Sequence, residues 1–161
     1  MIFPTVKGFT LDGHQVTLPT GLDGEYNLLV IAFQQCQRVQ VDMWMSHLRS
    51  LCTRYPNLHA YELPTIQNLL TLQNDFTDAW TRRGVSDPTA CRTTIPLYVD
   101  INDFNRALNI PTVSTTYSML VDREGEVLWR MQGGYDLLKI RSLLKTLNKV
   151  CRVRQPASAG R

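Results

Sequence analysis

Apolar residues in this chain fall into short continuous runs and into stripes with helical spacing. The longest run covers residues 28–33 and follows Asn27 without a polar interruption. Such a run predicts a strand that is buried on both faces in the middle of a sheet. A polar turn follows, and apolar positions then recur at intervals of three and four, which predicts an amphipathic helix. Its predicted core stripe consists of Val41, Trp44, Leu48, Leu51, Cys52 and Tyr55.

Two hairpins are predicted, one near each end of the chain. Asp12-Gly13 lies between alternating apolar positions in residues 9–18, a pattern typical of a tight turn with positive φ at its centre. Residues 117–121 and 126–130 are two strand-like segments separated by only four residues. A connection this short makes the second pair antiparallel.

The segment between the hairpins predicts further alternation of strands and helices. Residues 58–63 indicate a strand ended by Pro64, and residues 93–99 indicate another. Between them, Thr65 could cap a helix that carries Ile66, Leu69, Leu70, Phe76, Ala79 and Trp80. Asp100 or Asn102 could cap a short helix that buries Phe104 and Leu108. Asp136 could cap a last helix with the stripe Leu137, Ile140, Leu144 and Leu147. This order predicts an α/β fold with a mixed central sheet flanked by helices and an N-terminal β-hairpin.

Length and charge refine this prediction. We expect residues 1–147 to form a single domain and residues 148–161 to form a basic, flexible tail. The net charge is +3, but the tail alone carries four basic residues and no acidic one, so the rest of the chain sums to −1. The sequence therefore predicts a near-neutral globular part with no nucleic-acid-binding face. No apolar run is long enough to span a membrane. No secretory signal is evident at the start, and a cytoplasmic location is expected.

The cysteines do not form a recognisable metal or disulfide pattern. Cys36, Cys52, Cys91 and Cys151 lie far apart and contain no C-x-x-C pair, so neither a zinc site nor a disulfide scaffold is predicted. No cofactor is expected. Cys52 lies on the core stripe of its helix and is predicted to be a buried apolar residue, whereas Cys151 is predicted to lie on the surface of the tail.

Three segments carry a resemblance to a known family: residues 9–13 (FTLDG), residues 28–33 and residues 119–127 (MLVDREGEV). Over roughly residues 5–147, the chain resembles thioredoxin-fold proteins of the peroxiredoxin, or alkyl hydroperoxide reductase and thiol-specific antioxidant, superfamily. It also resembles the mitochondrial ATP synthase assembly factor of this fold. The resemblance implies a thioredoxin-like fold with its reactive corner directly after the strand at 28–33.

The resemblance also shows which catalytic features are missing. It aligns the paired active-site cysteines with Arg38 and Val41, and neither residue is a thiol. It aligns the conserved proline of the fold with Thr116 or Tyr117, while Pro111 is displaced. The implied function is therefore a redox-inactive protein-binding, assembly or chaperone-like factor with a degenerate active site.

The candidate site residues surround this corner. Gln34, Gln35 and Gln37 are amides that could hold a peptide backbone, together with Thr116 and Tyr117, in the former active-site groove. The other interpretation is that the amides do no more than solvate an exposed turn.

The alternative is a single-cysteine thiol peroxidase or oxidoreductase. Cys36 precedes a predicted helix N-terminus and stands two residues before Arg38, and both features could stabilise a thiolate. Cys91, next to Arg92, could resolve an oxidised Cys36 if the fold brought the two together. The other interpretation is that Cys36 is only a small residue in a turn whose catalytic positions have drifted.

Overall fold

The computed structural model describes residues 1–67 and 88–151. Within them, seven strands form one mixed sheet: β1 (Val6–Phe9), β2 (Gln15–Leu18), β3 (Tyr26–Ala32), β4 (Leu58–Gln67), β5 (Leu97–Val99), β6 (Tyr117–Asp122) and β7 (Val127–Gln132). Their order across the sheet is β2-β1-β5-β4-β3-β6-β7. The helices are α1 (Arg38–Arg54), α2 (Pro88–Thr93), α3 (Ile101–Ala107) and α4 (Leu137–Val150), with a 3₁₀ turn at Gln35–Gln37.

Strand β3 is the predicted central strand, and the structure confirms its position. It pairs parallel to β4 and antiparallel to β6, with Leu29 opposite both Tyr61 and Met119. Every residue from Asn27 to Ala32 is buried. Strand side chains alternate between the two faces of a sheet, so β3 contributes to two separate core layers.

One core layer lies under α1 and α4, and the other lies under α3 and the N-terminal segment. The first contains Leu28 and Val30 of β3 together with Trp44, Leu48, Leu143 and Leu147 of the helices. The second contains Leu29 and Ile31 together with Phe3, Phe104 and Leu108. Helices therefore cover both faces of the sheet, as the order of elements predicted.

Both predicted hairpins are present. In the first, the Thr10 N–H donates to the His14 carbonyl at 2.9 Å, and Gly13 has φ +94°. The connection is therefore a three-residue loop rather than the tighter turn the sequence indicated. In the second, Gly125 has φ +93°, and the Asp122 carboxylate accepts the N–H groups of Glu124 and Glu126.

The region around β4 differs from the prediction. The strand does not end at Pro64 but continues to Gln67, because residues 65–67 gain a parallel partner in β5. Thr65 is consequently not a helix cap: it is buried in the strand, and its hydroxyl donates to the Leu63 carbonyl at 3.0 Å. The rest of the predicted helix lies outside the described residues.

The predicted strand at residues 93–99 is also shorter than expected. Helix α2 extends to Thr93, and only residues 97–99 form β5. The Thr94 N–H still bonds to the Ala90 carbonyl at 3.0 Å, so the helical turn delays the strand. Asp100 caps α3 as predicted, with its carboxylate accepting the Asp103 N–H at 3.2 Å. Asn102 lies inside α3.

Asp136 caps α4 by accepting the Lys139 N–H at 2.9 Å, but the buried stripe of this helix differs from the predicted one. Leu143 and Leu147 are buried, whereas Leu137 is 68% exposed. Ten residues at about 100° each leave Leu137 roughly 80° away from Leu147 around the helix axis, so the two cannot share one narrow stripe.

The environment of Cys151, at the end of α4, differs from the prediction. The helix continues to Val150, three residues into the predicted tail. Cys151 is 3% exposed and packs in the core layer under α1 and α4, so the prediction that it lies on the surface is wrong. No helix in the described ranges is both long enough and apolar enough to cross a membrane.

Candidate functional site

The candidate site is the corner between the end of β3 and the start of α1. The chain leaves the sheet after Ala32, passes through the 3₁₀ turn and enters α1 at Arg38. Gln34, Gln35 and Cys36 are exposed, and Gln37 is buried. The corner therefore presents two amides and one thiol to solvent at the C-terminal end of a parallel strand, where open α/β sheets commonly place ligands.

Gln37 holds this corner together. Its Oε1 accepts the Phe33 N–H at 2.8 Å and the Gln34 N–H at 3.3 Å, and its Nε2 donates to the Val113 carbonyl at 2.8 Å. With these three bonds, Gln37 is only 3% exposed. The structure thus places Gln37 inside the turn, which it positions. Its role in lining a binding groove stays a prediction.

Thr116 and Tyr117 also reach the corner, but both are buried. The Thr116 hydroxyl donates to Gln40 Oε1 at 3.1 Å, and its carbonyl accepts the Gly133 N–H at 2.8 Å. The Tyr117 hydroxyl donates to the Thr112 carbonyl at 2.8 Å. Sequence reasoning placed these residues at the right end of the sheet. The Thr116 side chain links α1 to the start of β6, while the Tyr117 hydroxyl bonds within the segment that leads into β6. Their role as groove-lining contacts stays a prediction.

Cys36 lies on the exposed side of the 3₁₀ turn. Its thiol donates to Gln34 Oε1 over 3.5 Å. Arg38 does not stand beside the sulfur as an isolated positive charge, because its Nε lies 3.8 Å from the Asp42 carboxylate. Asp42 thus offsets part of the positive charge that sequence reasoning assigned to thiolate stabilisation.

The other cysteines do not complete a dithiol site. Cys52, Cys91 and Cys151 are all in the thiol form, as is Cys36. The Cys91 carbonyl accepts the Leu11 N–H, in the loop after β1, and two strands separate β1 from β3. The fold therefore sets Cys91 beside the outer hairpin and not beside the turn that carries Cys36.

Burial raises the pKa of the other two thiols, Cys52 and Cys151. It raises the pKa of Cys52 to about 11, and burial together with the negative charge of Glu25 raises the pKa of Cys151 to about 11. Cys52 packs against the core layer under α1 and α4, as predicted, although it is only partly buried. Both thiols are protonated near neutral pH and suited to packing rather than to nucleophilic chemistry.

Two exposed apolar residues at the corner were missed by the sequence reasoning. Val39 is 68% exposed and Met43 is 48% exposed, and they lie one turn apart on α1. The signal was present in the sequence, because these apolar positions are four residues apart and fall outside the core stripe of the helix. In the described parts of the chain, no three His, Cys, Asp or Glu residues are grouped closely enough to hold a metal ion.

Comparison with known proteins identifies the fold of the chain. No protein-family model matches the sequence, and no curated protein sequence matches it either. Solved structures do match. A thiol-disulfide oxidoreductase from Bacteroides fragilis has a TM-score of 0.58 and 14% identity, with 91% of this chain and 99% of that chain covered.

Two further structures show the same likeness. A thiol:disulfide interchange protein from a Bacteroides species has a TM-score of 0.60 and 17% identity, covering 98% of this chain and 92% of its own. The exposed lipoprotein thioredoxin of Streptococcus pneumoniae has a TM-score of 0.54 and 12% identity, covering 88% and 98%. At identities this low, the structural matches establish the fold alone. They confirm the prediction that the chain has a thioredoxin-like fold.

Proposed function

We propose that this protein is a redox-inactive thioredoxin-fold factor that holds a polypeptide partner at the corner between β3 and α1. The proposal rests on the side chains that this corner exposes. They are one thiol and two amides, next to the exposed apolar residues Val39 and Met43. The proposal includes a relationship to the peroxiredoxin-type superfamily and to an assembly factor of the same fold. It also includes a cytoplasmic location.

Dithiol exchange requires an attacking thiolate and a second thiol that resolves the mixed disulfide. The residues three positions before and after Cys36 are Phe33 and Val39. Cys52 and Cys151 are packed against the core, and Cys91 lies beside the outer hairpin. Cys36 has no resolving partner among these thiols, which argues against disulfide reductase chemistry.

The same corner has the features of a small binding surface. Gln34 and Gln35 can each donate to and accept from a peptide backbone, and Val39 and Met43 offer exposed apolar area beside them. Gln37 fixes the turn through three hydrogen bonds, so a partner would meet a surface that is already ordered. Ordering before binding lowers the entropic cost of association.

Two measurements test the proposal. In the first, the protein is added to insulin and dithiothreitol, and we expect no reduction of insulin disulfides beyond that caused by dithiothreitol alone. In the second, a photo-crosslinking residue is placed at position 39 and, as a control, at the exposed position 98 of β5. The probe is an unfolded polypeptide whose cysteines carry neutral blocking groups.

Crosslinks formed from position 39 and not from position 98 would support the proposal. Catalysed insulin reduction would overturn it, and so would equal crosslinking from the two positions. Both positions are exposed, so neither substitution removes a core contact.

A second function is favoured by the exposure of Cys36 just before a 17-residue helix. In a single-cysteine thiol peroxidase, the Cys36 thiolate would attack a peroxide oxygen, giving a sulfenate and releasing an alcohol or water. An external thiol would then form a mixed disulfide with loss of water, and a second thiol would restore Cys36. Arg38 would stabilise the thiolate, although it already contacts Asp42. Peroxide turnover that Cys36→Ser leaves unchanged would dismiss this function.

A further inference from the structure

Charge is unevenly distributed between helices α1 and α4 and the rest of the described chain. Helices α1 and α4 lie side by side on one face of the sheet: Trp44 Nε1 donates to the Gly133 carbonyl at one end, and the Tyr55 hydroxyl donates to Asn148 Oδ1 at the other. The two helices carry one acidic residue, Asp42, and seven basic residues: Arg38, Arg49, Arg54, Lys139, Arg141, Lys145 and Lys149.

The rest of the described chain has the opposite balance, with ten acidic and five basic residues. The near-neutral sum that the sequence indicated for the globular part therefore hides a basic layer on one face. A basic surface on a protein of nearly neutral net charge can select and orient an acidic partner.

The basic residues of α4 form an exposed line. Arg141, Lys145 and Lys149 are four residues apart and exposed, and within α4 there is no acidic residue. Positions four apart lie on one side of a helix. At the N-terminal end of this line, Leu137 is 68% exposed and Leu138 is 75% exposed. Two leucines and three cations thus occupy the solvent side of one helix.

This line connects to the corner at the start of α1. The Gly133 N–H bonds to the Thr116 carbonyl, and the side chain of Gln40 packs against Gly134, three residues before Leu137. Val39 is the sequence neighbour of Gln40, and Met43 follows one turn later. We use the name basic face for the surface formed by Val39, Met43, Leu137, Leu138, Arg141, Lys145 and Lys149.

We infer that the partner of this protein is an acidic polypeptide segment whose apolar side chains contact the exposed leucines, valine and methionine of the basic face while its carboxylates contact the lysines and arginine. The inference rests on the proposed function, for which it specifies the partner. Charge complementarity supports it, since seven cations lie in the layer that supplies this face. The apolar patch at one end of the line gives such a segment a defined register.

A polypeptide fits this face better than a phosphate-bearing surface does. Asp42 in α1 and Asp136, the N-cap of α4, are about half exposed, and each is the sequence neighbour of an exposed apolar residue, Met43 and Leu137 respectively. Their carboxylates would repel the phosphates of a membrane or nucleic acid at the place where the leucines would have to make contact. A polypeptide can place backbone N–H groups or apolar side chains there instead.

The test compares two triple charge reversals in the full chain. Arg141→Glu, Lys145→Glu and Lys149→Glu change the basic face, while Lys7→Glu, Arg106→Glu and Arg123→Glu make the same change in net charge at exposed positions elsewhere. The probe is a fluorescein-labelled synthetic peptide rich in glutamate and leucine, measured by fluorescence anisotropy. We expect the first variant to weaken binding by about tenfold or more and the second to change it much less.

A second pair of variants tests the apolar end. Leu137→Ser with Leu138→Ser should weaken binding, whereas Phe9→Ser with Tyr98→Ser, also at exposed positions, should not. A glutamate-rich peptide with serine in place of leucine should bind more weakly than the first probe. Circular dichroism confirms that each variant is folded before binding is measured.

Three outcomes would overturn the inference. The first is that a glutamine- and leucine-rich peptide binds as tightly as the glutamate- and leucine-rich one and that the first charge reversal has no effect. In that case, selective crosslinking from position 39 would still support the proposed function. The second is tighter binding of anionic phospholipid vesicles or of a single-stranded oligonucleotide than of the acidic peptide. The third is an equal loss of binding in the two charge-reversal variants. Failure of the proposed function itself is recognised separately, by the absence of selective crosslinking from position 39 with every polypeptide probe.

Discussion

The side-chain amide of Gln37 donates to the backbone carbonyl of Val113 over 2.8 Å, joining two segments that are 76 residues apart in the chain. The same side chain accepts the N–H groups of Phe33 and Gln34. One buried amide therefore satisfies three backbone groups, at the end of β3 and in the loop before β6. The proposed binding corner has its shape because of this contact.

Replacing Gln37 with leucine should destabilise the protein by about 2–4 kcal/mol, since the Phe33 N–H, the Gln34 N–H and the Val113 carbonyl would lose their partner, and an orphaned buried polar group costs about 1–3 kcal/mol. Urea denaturation measures the change in the free energy of unfolding. The matched control is Gln35→Ala, two residues earlier and exposed, which should lie within about 0.5 kcal/mol of the parent. Similar losses for the two variants would contradict this role of Gln37.

Thiol alkylation should distinguish Cys36 from partly buried Cys52 and buried Cys151. At pH 8, a group with a pKa of about 11 is ionised in only about one molecule in a thousand, so Cys52 and Cys151 should react slowly in the folded protein. Cys36 is exposed and should be modified first. Peptide mass spectrometry after a short exposure to iodoacetamide gives the order.

The control for this experiment is the protein unfolded in guanidinium chloride, where all four cysteines should react at similar rates. Modification of Cys52 or Cys151 in the folded protein as fast as Cys36 would show that the core layer under α1 and α4 opens readily.

The main elements could be predicted from the sequence because their signals are local. The uninterrupted apolar run of β3, the stripe of α1 and the capping carboxylates of Asp100 and Asp136 depend on residues close together in the chain. The end of β4 could not be predicted in this way. Its last three residues are extended because β5, thirty residues further on, pairs with them.

The site shows the same division between local and long-range information. Sequence position identified the corner and its exposed residues, Gln34, Gln35 and Cys36. It did not reveal that Gln37 turns inwards to Val113 or that Thr116 is bonded to Gln40, because both contacts span 76 residues. The basic layer was hidden for a similar reason, since α1 and α4 become neighbours only in the folded protein.

Gly8 in β1 should tolerate no side chain. A Cβ atom at this position would lie 2.6 Å from Ile95 Cγ2 and 2.9 Å from Leu97 Cδ2, so Gly8→Ala should cost about 1–3 kcal/mol through overpacking where β1 meets β5. The matched control is Gly134→Ala, whose nearest neighbour would be Gln40 Cγ at 3.5 Å, an ordinary contact. Thermal unfolding of the two variants should show a clear loss for Gly8→Ala only. A parent-like melting temperature for Gly8→Ala would mean that β1 can move away from β5.

Alkaline pH should weaken the fold through two thiols and one phenol that lie in the core or pack against it. Burial raises the pKa of Cys52 and Cys151 to about 11 and that of Tyr61 to about 12, so above pH 9 the unfolded chain releases these protons more readily than the folded one. The folded state then binds more protons, and the free energy of unfolding falls as pH rises, by at most about 1.4 kcal/mol per pH unit for each group. Contact with solvent makes the actual slope smaller for a partly buried thiol such as Cys52.

Urea denaturation between pH 8 and about pH 10.5 measures this slope. The range begins near the ordinary cysteine pKa of about 8.5 and extends above it. Cys52→Ala should flatten it, while Ser50→Ala, which removes no ionisable group, should keep the parental slope. An unchanged slope in Cys52→Ala would show that this thiol ionises equally well in the folded and unfolded chains.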